Sequence, residues 1–291
     1  MLNPIDSQLR ATLHDRFVAL ESFLGADLFT YYGPITDGGE GAILNLIEEI
    51  ANEPTKQEKL FVLLTTPGGS AIAVERYVNI IRHHYNEVSF IVPDYAYSAG
   101  TIFCMSGDHI FMDYSSALGP IDPQVLNKEG KWVAALGYLD KVNDLIKKAQ
   151  EGTLTNAEFL ILKDMDLAEL RGYEQAKELT IDLLKKWLVK YKFKNWKEHA
   201  TNPDKLGTPV TDDEKKERAE EVANALSNNN LWKSHGRPIN IETLESRLRL
   251  KIEDYSKNQE LRTLVRGYYE LLHDYINQRR FNNFVQTRKF N

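Results

Sequence analysis

The chain has 291 residues, 42% hydrophobic and 27% charged, which excludes the disordered class and suffices for one large domain, with or without a helical appendage. A net charge of −6 with both signs interspersed excludes a general nucleic-acid binder, which needs a basic footprint to neutralise phosphates. There is no apolar run of about eighteen residues and the first ten residues lack the pattern of a secretory signal, so no membrane partner and a cytoplasmic location are expected, in keeping with a single cysteine, Cys104, which can form neither an internal disulfide nor a thiolate metal cluster.

Apolar positions at Leu9, Leu13, Phe17, Leu20 and Leu24 recur at helical spacing and predict an amphipathic helix over 6–24. Ala26 to Tyr32 reads as a short aromatic strand, Ile35 to Gly41 as a turn cluster and Ala42 to Ala51 as a helix. The strand Leu60 to Thr65 leads into a helix from Ser70 to His84. Glu87 to Val92 follows as a strand, Ser98 to Ser106 as a helix, His109 to Asp113 as a strand and Ala117-Leu118 as a short extended piece. Near-continuously apolar strands separated by helices predict an α/β chain whose sheet is covered on both faces.

After Gln124 the character changes. Val125 to Lys131 is polar and turn-like, and most of Leu139 to Leu226 has helical periodicity, interrupted by a loop at Thr201 to Asp213. A short helix led by Asn240 is expected within Leu231 to Ile252. Asn258 to Ile276 reads as a helix with a wide stripe from Leu261 to Ile276, suited to a core or an oligomer seam.

Two turns carry the chemistry. Ser98 opens a helix, where unpaired backbone N–H groups favour negative charge. The pair Gly68-Gly69 allows the backbone to approach the same point closely. Each feature alone is ordinary, since serine is a favoured helix cap and Pro-Gly-Gly a common turn. Together they outline a nucleophile beside an oxyanion hole.

The order of T-T-P-G-G-S, D-Y-A-Y-S-A-G and G-P-I-D-P-Q at 119–124, with S-H-G-R-P-I at 234–239, resembles the Clp-fold serine peptidases, and within them the serine dehydrogenase proteinases. The likeness is strong from Ala26 to Gln124, patchy to Ile252 and absent beyond. It implies a ClpP/crotonase-like superhelix of β-β-α units. The peptidase domain would be 1–252, with core 25–125 and 231–252, N-terminal helix 6–24 and helical insertion 139–226. A C-terminal helical extension, 253–291, would follow.

The resemblance further implies a peptide-bond hydrolase working through a Ser98 acyl-enzyme on unfolded or peptide substrates, with no cofactor and no metal. Gly68, Gly69 and Ala99 would form the oxyanion hole. Where the better-known relatives carry a histidine after the nucleophile helix, this chain has Asp122, and near the place of their aspartate it has His235. An exchange of the two leaves a set of Ser98, His235 and Asp122, since geometry and not chain order defines a triad. The alternative base is Lys141, matching relatives that pair serine with lysine. A homo-oligomer is implied, with the N-terminal helix, the insertion or the aromatic tail as interface, and an unfoldase or adaptor partner is left open. The rival readings are a crotonase-type acyl-CoA enzyme and a catalytically silent scaffold subunit. His109 reads as a structural strand histidine, and no histidine has metal-ligand spacing.

Overall fold

The structure, a computed structural model, describes residues 4–126, 132–199 and 203–289. Helix α1 (Pro4–Leu24) precedes strand β1 (Asp27–Tyr32), helix α2 (Glu40–Ala51), strand β2 (Lys59–Thr65), helix α3 (Ala71–His84) and strand β3 (Glu87–Val92). Next come β4 (Tyr95–Ala96), α4 (Ala99–Cys104), β5 (His109–Met112), β6 (Ala117–Leu118), and a hairpin of β7 (Gln124–Leu126) and β8 (Trp132–Ala134). The stretch 125–131, expected as a turn, thus opens with strand residues, and 127–131 lie outside the described residues.

The insertion contains α5 (Ala135–Gln150), α6 (Asn156–Lys163), α7 (Leu167–Trp187) continuing into a π-helical turn (Leu188–Lys192), and α8 (Asp212–Ser227). Then follow α9 (Asn229–Trp232), α10 (Ile241–Ser246), β9 (Glu253–Asp254), α11 (Gln259–Arg279) and β10 (Phe284–Gln286). Cap residues set several starts: Ser70, Thr155, Thr211, Asn240 and Asn258 each accept a hydrogen bond from a backbone N–H of the first turn.

The main sheet has the order β10-β1-β2-β3-β5-β9, parallel throughout except for β10. Its strands alternate between two cores, as the two-residue period of a strand requires. On β2, Leu60, Val62 and Leu64 join α2, α3 and α4 on one face, while Phe61 and Leu63 meet α1 and α11 on the other. This is why the strand sequences are apolar at almost every position. The apolar faces of α1 and α11, foreseen as an oligomer interface, are instead spent within the chain: Leu13, Phe17, Leu20, Val265, Tyr268 and Leu272 are all fully buried in this second core. The C-terminal segment, expected to be helical, also supplies an edge strand on each side of the sheet, because β9 pairs with β5 and β10 with β1.

An ionic hub ties the insertion to the sheet. The carboxylate of Asp108 accepts from Arg82 and from Val88 N–H, 2.9 Å each, and pairs with Lys194 at 2.5 Å. Arg82 lies over the Tyr191 ring, 3.7 Å from its centroid.

Candidate active site

A second, small set of strands converges beyond the C-terminal ends of β2 and β3. Strand β4 pairs in parallel with β6, and Thr66 bridges in parallel to Ala96. Leu118 bridges antiparallel to Ile239, with Leu118 N–H to Ile239 O at 3.0 Å and the reciprocal bond at 2.8 Å. Continuing that antiparallel register sets Asp122 opposite His235. The segments bearing Gly68, Ser98, Asp122 and His235 therefore leave the small sheet at the same end.

Ser98 differs from the helix-capping serine of this chain. Ser70, with φ −77°, accepts from Ala73 N–H at 3.1 Å as a cap should. Ser98 has φ 53° and ψ −117°, and its side chain makes no cap bond. A non-glycine residue there is strained by about 1–3 kcal/mol, and such a sharp strand-to-helix turn is the backbone setting of a nucleophile elbow. Thr101 fixes the helix behind it: its hydroxyl accepts from Gly119 N–H at 3.0 Å and lies 2.9 Å from the carbonyls of Ala96 and Gly119.

The glycine turn sits directly against the serine. A Cβ added to Gly68, whose φ is +104°, would lie 2.8 Å from Ser98 Cβ and from Tyr97 O. At Gly69, with φ +142°, a Cβ would lie 2.0 Å from Ile35 O. Ile35 N–H donates to Gly68 O at 2.8 Å and Ser70 N–H to Ile35 O at 2.9 Å, so the ladder consumes the groups on either side of Gly69 N–H. Gly68 N–H is itself taken by Thr66 Oγ1 at 3.0 Å. Among the described residues, the N–H groups of Gly69 and Ala99 have no partner, the condition for donating to an oxyanion.

Asp122 is completely buried and accepts from His235 Nδ1 at 2.9 Å through Oδ1, while Gln124 Nε2 stands 3.4 Å from Oδ2. The His235 side chain keeps 25% of its surface exposed. With Nδ1–H donated to a buried carboxylate, neutral imidazole carries its lone pair on Nε2, the tautomer of a general base.

Lys141 lies exposed on α5, without the dry surroundings that make a lysine a base. Lys192 does have them, since burial pulls its ammonium down to about 8. Its electrostatic neighbours, however, include Cys104 and Asp108, beyond the far end of α4 from Ser98. His109 faces Glu253 at 3.4 Å and His199 faces Glu214 at 3.3 Å. No group of three metal-ligating side chains occurs among the described residues. Thr101 escaped the sequence reading, and a threonine three positions into a helix gives no signal of bonding a neighbouring strand.

A family model described as ClpP-like SDH-type serine proteinase matches residues 19–205. Among curated proteins, the chain is 27% identical over 184 residues to the uncharacterized protein MJ1495 of Methanocaldococcus jannaschii, covering 63% of this chain and 49% of that protein. It is 33% identical over 135 residues to the uncharacterized protein MJ0137 of the same organism, covering 43% and 45%. The chain thus spans about half the length of the curated relatives it matches.

Two solved structures of mutants of the 1510-N membrane-bound stomatin-specific protease are also similar. The first has 25% identity and TM-score 0.32, covering 50% of this chain and 73% of that one. The second, in complex with a substrate peptide, has 24% identity and TM-score 0.33, covering 57% and 82%. The family match spans well over half of the chain and includes both the glycine turn and Ser98, so the chain, with its ClpP-like α/β fold, belongs to the ClpP-like SDH-type serine proteinases.

Proposed function

We propose that this chain is a serine peptidase that hydrolyses peptide bonds through an acyl-enzyme on Ser98. The observation that carries the reading is the bond from His235 Nδ1 to the fully buried Asp122, on segments that leave the small sheet at the same end as a serine whose backbone is strained and whose hydroxyl makes no cap bond. His235 Nε2 takes the proton from Ser98 Oγ as it attacks the scissile carbonyl. Gly69 and Ala99 N–H hold the oxyanion, and His235 returns the proton to the leaving amine. Water then repeats the sequence on the ester and releases the acid.

The substrates proposed are peptides or unfolded segments, and the compartment is the reducing cytoplasm. No helix among the described residues is long and apolar enough to cross a membrane. An oligomer is proposed through the insertion, where α6 buries none of its residues and leaves Phe159, Leu160 and Ile161 more than half exposed.

The test is turnover of a fluorogenic peptide by three variants. His235→Ala is expected to slow it by about a hundred- to ten-thousandfold, and Asp122→Asn to cripple it by disturbing the imidazole tautomer, whereas Lys141→Ala changes little. Full activity in His235→Ala and Asp122→Asn, with loss in Lys141→Ala, would transfer the base to the lysine.

A further inference from the structure

Ser98 and Asp122 stand on different segments, and one buried hydroxyl joins the two. Thr101 lies on α4 three residues after Ser98, and Gly119 lies three residues before Asp122; both are buried. A threonine hydroxyl inside a helix ordinarily bonds a carbonyl of its own preceding turn. This one also reaches across to the neighbouring segment, accepting from Gly119 N–H at 3.0 Å and standing 2.9 Å from the carbonyl oxygens of Ala96 and Gly119. Its single hydrogen is shared between those two acceptors.

The place of that hydroxyl is set by the ladder of the small sheet. Strands β4 and β6 run parallel, with Tyr95 opposite Ala117 and Ala96 opposite Leu118, and Ala117 N–H donates to Asp94 O at 2.8 Å. Two residues further on, the same parallel pattern would join Gly119 N–H to Ala96 O. The Thr101 hydroxyl stands between these two groups instead, accepting from one and donating to the other, so it acts as a spacer where β4 turns into the nucleophile. On one side of the spacer, Ile102 N–H donates to Ser98 O at 3.2 Å, which makes Ser98 move with α4. On the other, Gly119 is so close to the residue before the nucleophile that an added Cβ would lie 2.8 Å from Tyr97 Cδ1, and Asp122 follows with His235 bonded to it at 2.9 Å.

We infer that Thr101 is a positioning residue for the reaction: its hydroxyl, inserted in the β4–β6 ladder, sets the separation between the segment carrying Ser98 and the segment carrying Asp122, and through Asp122 the reach of His235 to the nucleophile. This rests on the peptidase reading and adds what holds its two halves in register. Thr101 is fully buried behind Ser98 and acts through the other residues. Without the hydroxyl, Gly119 N–H and the Ala96 carbonyl either remain buried and unpaired or close on each other, and in both cases the Asp122 segment shifts against α4. A shift of about 1 Å between reacting groups costs on the order of a hundredfold in rate.

The experiment is a double-mutant cycle on the full-length protein, read as the rate constant of labelling by a fluorophosphonate probe and as kcat and KM on a fluorogenic peptide. Thr101→Val keeps the side-chain shape, Thr101→Ala leaves room for the ladder to close, and Thr101→Ser keeps the hydroxyl. Valine and alanine are each expected to lower kcat and the labelling rate by about tenfold to a hundredfold with KM changed by less than about twofold, and serine to restore the rate to within about threefold. In a His235→Ala background the valine change should cost less than about twofold more, because the contact that it misplaces is already gone. The labelling rate constant reports folded molecules alone, so a fraction lost to unfolding does not enter it.

Full activity in both valine and alanine variants, a loss confined to KM, a serine variant as slow as valine, or a valine effect undiminished beside His235→Ala would each overturn the role, the last by showing that Thr101 supports the fold without registering His235. The peptidase reading is judged on the unmutated protein. Labelling there, with equal labelling of the Thr101 variants, would remove the positioning role alone, whereas an unlabelled and inactive unmutated protein would remove the reading and the role together.

Discussion

Ser70 and Ser98 both precede helices, yet only Ser70 caps one. The difference is conformational: Ser98 lies in the left-handed region of φ, and Gly68 is packed against it so closely that no side chain fits between them. The resemblance pointed to Ser98 through its neighbours, but the strain at that residue is invisible in a string of letters, because it arises from the meeting of two turns. Gly68→Ala is therefore expected to lower kcat by about a hundredfold or more, since displacing reacting groups by a fraction of their spacing has that cost. It should also lower stability by about 1–3 kcal/mol through forced positive φ. Steady-state kinetics and a denaturant melt check both. Unchanged kcat would show that Ser98 does not depend on the glycine turn.

At the scale of elements, the long periodic helices and the central strands were legible, because burial on one stripe or on two faces writes itself into the order of apolar residues. The strand expected at Glu87–Val92 has those bounds, and Asn240 caps its helix as expected, while Asn258, expected as the first residue of its helix, is the cap before it. Strands β4, β9 and β10 have two or three residues each, too few for any period, and their pairing is decided by the partner strand. The register of Leu118 against Ile239, which brings Asp122 to His235, is likewise a long-range fact. The exchange of His and Asp is implied by the resemblance, but their bond required the fold.

The Asp108 hub makes a prediction at this scale. Burial alone would raise the Asp108 carboxyl, but Lys194, the Val88 N–H and Arg82 outweigh it and hold the carboxyl below its ordinary value. A folded value below the unfolded one contributes stability that is complete above about pH 4 and is lost as pH falls through the depressed folded value. Asp108→Asn should remove that part of the acid dependence and destabilise the protein by about 3 kcal/mol or more at neutral pH, because Arg82 is left buried without its carboxylate. Urea melts between pH 3 and 7, a range of about four units around that window, would show the variant with a flatter profile. Parallel profiles for the two proteins would contradict the hub's role.

For the whole molecule, helices cover both faces of the sheet, and the candidate site lies on the small sheet beyond the C-terminal ends of β2 and β3. The stripe on α11 could not be assigned from sequence, since a buried core face and an oligomer seam have the same composition. The structure spends it on α1, and on the insertion α6 leaves Phe159, Leu160 and Ile161 side by side and exposed. Light scattering of the 33.4 kDa chain is expected to give a multiple of that mass, and Leu160→Asp to reduce it. A monomer at micromolar concentration would remove the proposed assembly and leave the site unaffected.

The central claim is that Ser98 is a nucleophile activated by His235. Its most direct test is mass spectrometry of the protein after treatment with a fluorophosphonate probe. One adduct is predicted, on the peptide containing Ser98, absent in Ser98→Ala and formed at least a hundredfold more slowly in His235→Ala. Peptide hydrolysis by protein that carries no adduct, or labelling at an equal rate in His235→Ala, would contradict it.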